Sequence, residues 1–268
     1  MAKTILITGS SDGIGKLAAI QLAKEGHQII IQGTKADKLT NIFEAINQVN
    51  ANASVHSIIA DFSEFENINT FIEEVKNNYP KIEVLINNAG LFKSAQLKNS
   101  NGLDLRFMIN YFAPYLITNA LLPNLKQSEN PKVINLSSAA QAPVSLNALN
   151  GNAELSNQES YAQSKLALTM WNNYFAAKHL GLTSIALNPG SLLNTRMVRE
   201  AFGRHWSPAE KGSDIIYELV LADNKEMSGK YFDNDQGNYG MAHPDAYDQE
   251  KTQKLIDATE AILQAHLK

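Results

Sequence analysis

Thr4-Ile5-Leu6-Ile7-Thr8-Gly9-Ser10-Ser11-Asp12-Gly13-Ile14-Gly15 is followed, after Lys16, by Leu17-Ala18-Ala19-Ile20-Gln21-Leu22-Ala23. An apolar strand, a turn carrying three glycines and an apolar helix in that order read as the opening of a βαβ unit. Outward from it the pattern repeats. Short β-rich runs at 4–8, 28–32, 55–60, 82–87, 131–136, 183–188 and 229–233 alternate with segments of helical period at 16–25, 36–50, 64–79, 101–126 and 157–180. In the latter, apolar residues recur three and four apart, as with Phe71 and Val75 or Leu166 and Met170. A last helix is expected over 244–267.

This alternation predicts a single α/β domain over residues 1–268: a doubly wound, Rossmann-type fold whose seven-stranded parallel sheet carries helices on both faces. No repeat, low-complexity tract or linker divides the chain. Two segments stand outside the alternation: an insert at about 139–158, rich in Ala, Asn, Gln and Ser, and a lid-like segment at about 191–213. Long connections of this kind are usually functional.

Composition narrows the function. The 268 residues include 23 Lys+Arg against 27 Asp+Glu, a net charge of −4, without the basic stripe that a phosphate backbone requires, so no nucleic-acid partner is expected. With no cysteine there is neither a disulfide nor a thiol nucleophile, and the six histidines lack metal-ligand spacing. No metal is expected. No apolar run is long enough to span a bilayer and none resembles a signal peptide, which gives a cytoplasmic expectation with no membrane partner.

The glycine-rich turn has a specific chemistry in this setting. Gly9 permits the tight turn, Gly13 lets backbone approach a pyrophosphate, and Gly15 lets helix pack on strand, while the helix start offers free N–H groups to the phosphates. A tight βα turn that binds nothing uses glycines in the same way, so both readings stand on this motif alone. The end of the second strand bears on the choice of cofactor. A carboxylate there would bond the ribose 2′-hydroxyl of NAD and repel the 2′-phosphate of NADP. Gly33 stands there instead, followed by Thr34 and Lys35, which favours NADP. NAD stays open, because Asp12 places negative charge on the turn and Lys35 is equally readable as a solvated charge.

Tyr161 and Lys165 lie at i and i+4, so on a helix they share a face about 5 to 6 Å apart at Cβ. Bringing a phenol from pKa about 10 to neutrality takes about 4 kcal/mol, much of which an ammonium at that distance in a partly buried site, helped by a cationic nicotinamide, can supply. Tyr161 would then act as general acid toward a carbonyl or general base toward an alcohol. Ser138 follows the strand Lys132-Val133-Ile134-Asn135-Leu136 at the carboxyl edge of the sheet, while its neighbour Ser137 is expected to point elsewhere. Asn110 is a polar residue within apolar Met108-Ile109-Asn110-Tyr111-Phe112, either structural or able to hold a water on its carbonyl.

Thr8 to Gly15, Asn87-Asn88-Ala89-Gly90, Asn110, Ser138, Tyr161-x3-Lys165 and Asn188-Pro189-Gly190 occur in an order and spacing that resembles the short-chain dehydrogenase/reductase family over nearly the whole chain. The resemblance implies a catalytic set of Asn110, Ser138, Tyr161 and Lys165. Tyr161 exchanges the proton, Lys165 binds the nicotinamide ribose and lowers the Tyr161 pKa, Ser138 bonds the reacting oxygen, and Asn110 completes a relay. It implies a cofactor held by Gly9, Ser11, Asp12, Gly13, Ile14 and Gly15 at the turn, and by Thr34 and Lys35 beyond β-strand two. Asp61, with Phe62, would lie at the adenine, and Asn88, Ala89 and Gly90 along the adenosine ribose. Pro189, Gly190 and Thr195 would lie at the nicotinamide end. Asp61 is equally suited to cap the helix that follows. In this family hydride passes directly between nicotinamide and substrate.

Ser138 and Tyr161 lie 23 positions apart, a long gap for the family. That gap, together with Ser228-Gly229-Lys230-Tyr231-Phe232, resembles the branch with the retinol dehydrogenases and the WW-domain oxidoreductase, which implies NADP and a lipophilic alcohol or aldehyde. Leu91, Phe92, Leu146, Leu192, Met197, Phe202 and Trp206 are expected around an apolar substrate, and Arg196 and Arg199 leave an acidic group open. The resemblance also implies a homodimer or homotetramer contacting through helices 101–126 and 157–180. The competing class is a catalytically silent dinucleotide-binding redox sensor; such proteins tend to lose the Tyr or the Lys, and this chain keeps both.

Overall fold

The computed structural model describes residues 2–267. In chain order the strands and helices are β1 (Thr4–Ile7), α1 (Gly13–Lys24), β2 (Gln28–Gly33), α2 (Ala36–Val49), β3 (Val55–Ile59), α3 (Phe65–Asn78), β4 (Val84–Asn87), α4 (Leu105–Phe107), α5 (Ala113–Ala120), α6 (Leu122–Leu125), β5 (Lys132–Leu136), α7 (Leu146–Leu149), α8 (Asn157–Lys178), β6 (Thr183–Asn188), α9 (Arg196–Phe202), α10 (Glu210–Leu221), β7 (Tyr231–Asp233), β8 (Asn238–Gly240) and α11 (Gln249–His266). The sheet order is β3-β2-β1-β4-β5-β6-β7-β8. Strand alternation divides the apolar residues between two layers. Ile5, Ile7, Ile29 and Ile31 face α1, α2 and α10, whereas Leu6, Ile30, Leu85 and Val133 face α3, α5 and α8.

The sheet has eight strands rather than the seven expected. β8 returns antiparallel beside β7 through a turn at Asp233–Gly237, closed by Gln236 N–H donating to Asp233 O at 3.1 Å. Its three residues, Asn-Tyr-Gly, are too few and too polar to show a period. α10 is likewise unexpected. It starts within the segment read as a lid, and its Ile215, Ile216, Leu219 and Val220 close the sheet beside α1. Gly212 makes that approach possible, since a Cβ there would lie 2.7 Å from Leu193 Cδ1 and 2.8 Å from Ile14 Cγ2.

The helix expected over 101–126 is broken into α4, a π-helical turn at Met108–Phe112, α5 and α6. Pro114 has no N–H for the carbonyl four residues earlier, which is that of Asn110. α8 begins with a capping box in which Ser156 Oγ accepts from Glu159 N at 3.2 Å while the Glu159 carboxylate accepts from Ser156 N at 3.0 Å.

From Ala162 to Asn172 every residue of α8 is buried in the isolated chain. The side turned from the sheet, which the resemblance gives to a second subunit, is covered by the C-terminal segment. Leu255, Ile256, Thr259 and Ile262 of α11 are buried, and Asn173 Nδ2 donates to Ala246 O at 3.0 Å. The expected final helix is itself split, because Asp248 caps α11 by accepting from Lys251 N at 3.0 Å after a 3-10 turn at Pro244–Tyr247. Among the described residues no helix is long and apolar enough to cross a membrane.

Candidate active site

Strand order reverses between β1 and β4, and a cleft of about 370 Å³ opens there along the carboxyl ends of the strands. One end is the glycine-rich turn. Gly9 has φ 62°, and a Cβ on it would lie 2.5 Å from Ala89 Cα; one on Gly15 would lie 2.3 Å from Asn88 Nδ2. The turn is braced from below by buried Thr8 and Gln32 and by partly buried Asn88. Asn88 Nδ2 donates to Thr8 O (2.9 Å) and Gly9 O (2.8 Å), and Thr8 Oγ1 accepts from Asn88 N and Ala89 N. Gln32, which no motif pointed to, accepts from Gly9 N (2.7 Å) and donates to Ala60 O (2.7 Å). Its signal is a single amide at the end of an isoleucine strand.

Asp12 caps α1 by accepting from Gly13 N at 2.8 Å. It also pairs with Lys38 Nζ at 3.3 Å and Arg196 Nε at 3.6 Å. Burial pushes its carboxyl up, but the Gly13 N–H, Lys38 and Arg196 together hold it below the ordinary range. The acid on the turn is thus largely neutralised by two cations. Gly33 is buried, and a Cβ there would lie 2.6 Å from Ser11 Cβ, so packing leaves no room for a carboxylate side chain. Thr34 lines the cleft, whereas exposed Lys35, expected beside it, does not; the lysine near the turn is Lys38. Asp61 lines the cleft too. Its carboxylate accepts from Ser63 N at 3.0 Å, and the cap position of α3 is Glu64, so Asp61 is not the helix cap. Phe62 reaches the cleft from the core, edge-on to Phe71 at 5.1 Å.

At the other end α8 brings Tyr161 and Lys165 to the cleft wall beside Ser138. Lys165 is buried and donates to Leu136 O at 2.6 Å, with its Nζ 5.6 Å from the Tyr161 ring centre. Burial without a compensating carboxylate lowers its pKa to about 7. In the cofactor-free chain the Tyr161 phenol lies above its ordinary value. Burial raises it, and the neighbouring Ser138 hydroxyl only pulls it partway back. Ser137 turns away, its hydroxyl 2.7 Å from Thr169 Oγ1.

Asn110 does not line the cleft. Its side chain clamps Leu91, accepting from Leu91 N (2.8 Å) and donating to Leu91 O (3.0 Å), and also donates to Ser164 Oγ (2.9 Å). Ser164 in turn donates to Tyr161 O at 2.7 Å. Asn110 therefore ties the loop after β4 to α8, while Pro114 leaves its carbonyl without an α-helical donor.

Gly90, Pro189, Gly190 and Thr195 line the cleft between the two ends. The substrate side is aromatic: Phe92 packs 4.9 Å from Tyr161 and 5.1 Å from Phe202 between ring centres, and Met197 reaches the cleft wall. Leu146 instead packs on the core, Trp206 is 70% exposed with Arg204 over its ring, and Arg199 is engaged with Asn194 Oδ1 at 2.6 Å. A wider hollow of about 730 Å³ lies between α10 and β8, away from these groups.

A nicotinamide dinucleotide fits these residues. The turn and the start of α1 offer backbone N–H groups, and buried Lys165 has a single acceptor among the described residues, leaving N–H groups for ribose hydroxyls.

Comparison with known proteins agrees with this geometry. A family profile for short chain dehydrogenase matches residues 3–205. Human retinol dehydrogenase 13 is 28% identical over 94% of this chain and 82% of its own. Human polyprenol dehydrogenase is 30% identical over 87% of this chain and 77% of its own. A protein of Shigella flexneri 2a str. 301, crystallised in complex with NADP, superposes with a TM-score of 0.70 at 27% identity, covering 87% of this chain and 97% of that one.

Proposed function

The chain belongs to the short chain dehydrogenase family of oxidoreductases, and on that premise we propose that it interconverts an apolar carbonyl compound and its alcohol, with NADPH preferred to NADH. The observation that carries the reading is the convergence of Tyr161, Lys165 and Ser138 on one end of a cleft whose other end is the braced glycine turn. Bound there, the cofactor supplies or takes up the hydride.

The chain's own groups do the rest. Gly9, Gly13 and the start of α1 bind the diphosphate, and Lys165 orients the ribose. Tyr161, held protonated at neutral pH, is poised to donate its proton to a carbonyl oxygen, and Ser138 bonds the same oxygen. Phe92, Phe202 and Met197 exclude water and suit an apolar substrate. The NADPH preference is supported by Gly33 in place of a carboxylate and by Lys38 and Arg196 near the turn. The polyprenol and retinol names of the relatives support the lipophilic class of substrate.

The test is oxidation of NADPH and NADH against aldehydes, ketones and quinones, with Tyr161→Phe as control. Turnover faster with NADPH, lost by a factor of about 10² to 10⁴ in the variant while cofactor affinity holds, is the expected result. A variant that still turns over, or a preference for NADH, overturns the corresponding part.

A further inference from the structure

Tyr231, in the Ser228-Gly229-Lys230-Tyr231-Phe232 stretch, is buried on β7, yet its hydroxyl crosses to the loop after β5 and donates to Ser138 O at 3.1 Å. The stretch is secured to β6 by Gly229 N donating to Ser184 O (2.7 Å) and by Ser228 Oγ accepting from Ser184 N (3.1 Å). The Ser138 carbonyl takes a second donor, Gln141 Nε2, at 2.9 Å, and Gln141 Oε1 is itself held by His243 N at 3.1 Å. Both lone-pair directions of that carbonyl are thereby used. Ser138 Oγ accepts from Ala140 N at 3.1 Å, which leaves its O–H to point at the reacting oxygen.

We propose that Tyr231 is a positioning residue: by holding the Ser138 carbonyl it fixes the direction in which the Ser138 hydroxyl meets Tyr161 and the substrate oxygen. The inference rests on the carbonyl-reductase reading above. Burial, then Asp233, Asp235, Tyr247 and Tyr161, all keep the Tyr231 phenol protonated, so it stays a donor across the working range. Tyr231→Phe removes only the hydroxyl from a buried ring, which preserves packing.

The test is a double-mutant cycle in the full chain. Tyr231→Phe should lower turnover about tenfold with cofactor affinity and melting temperature unchanged, and should lower it less than twofold when Ser138→Ala is already present. Equal losses in both backgrounds, or no loss, overturn the proposal. A second readout needs no turnover. Ultraviolet difference titration against Tyr161→Phe reports the Tyr161 phenol, which should titrate at higher pH in Tyr231→Phe because the Ser138 hydroxyl supports the phenolate less. An unmoved phenol overturns the inference, whereas a wild-type chain inert to every carbonyl compound overturns the function instead.

Discussion

The two ends of the cleft are built by opposite means. The glycine turn rests on a floor of partly buried hydrogen bonds from Asn88, Gln32 and Thr8, each of which leaves an unpaired backbone group if removed. The base of the lid is tied by Ser191 N donating to Asp235 Oδ1 at 2.8 Å and Asn234 Nδ2 donating to Lys211 O at 3.0 Å, but its outer part rests on little of that kind. α9 has no buried residue, Phe202 and Trp206 are exposed, and the pairs tying it to the body involve Arg196 and Asp12, both largely exposed. Pairs of that type contribute under about 1 kcal/mol. Leu192, at φ 48°, is held in the left-handed region where its carbonyl accepts from Trp206 N at 2.9 Å. A rigid end suits a ligand of constant shape, and a loosely held end suits substrates that differ.

The largest expected break in this contrast is Gly9→Ala. Gly9 and Gly203 both have positive φ, 62° and 66°, but a Cβ at Gly9 meets the Ala89 backbone while one at Gly203 meets nothing within 4 Å. Gly9→Ala should destabilise by about 3 kcal/mol or more and abolish cofactor binding, whereas Gly203→Ala should cost about 1 kcal/mol and leave binding intact. Urea unfolding with cofactor titration checks both, and similar losses at the two sites would remove the distinction.

A middle-sized effect comes from pH. Lys165 and Lys132 are held charged only against burial, with pKa values lowered to about 7 and about 8, while the unfolded chain binds their protons up to about 10. Between pH 7 and 9 the unfolded chain therefore carries more protons, so the stability of the cofactor-free protein should rise with pH. Unfolding curves across that window should steepen this rise in wild type relative to Lys165→Met; an equal slope would place Lys165 in a wetter site. The smallest effect is Trp206→Ala, expected within about 0.5 kcal/mol in melting and neutral to cofactor affinity, with any change confined to KM for bulky substrates.

Legibility follows the same division. β1, the glycine turn and the strand–helix alternation were readable because apolar periodicity and glycine spacing are local. β8 and α10 were not: the first is too short for a period, and the second, with its apolar stripe at Ile215, Ile216, Leu219 and Val220, begins inside the segment read as a lid. Among site residues, Tyr161 and Lys165 were legible from helical spacing, and Ser138 from its place after a strand. Gln32, Lys38, Ser164 and Tyr231 were not, since each acts on a residue far away in the chain.

The sequence by itself determined the doubly wound architecture and the family, because these depend on residue types at short, regular spacings. Only the tertiary structure decided that Asn110 clamps Leu91, that α11 closes the outer face of α8 and that burial in the cofactor-free chain pushes the Tyr161 phenol up. Hydrogen-bond partners and desolvation are set by what packs around a group, and packing joins residues that no local spacing relates.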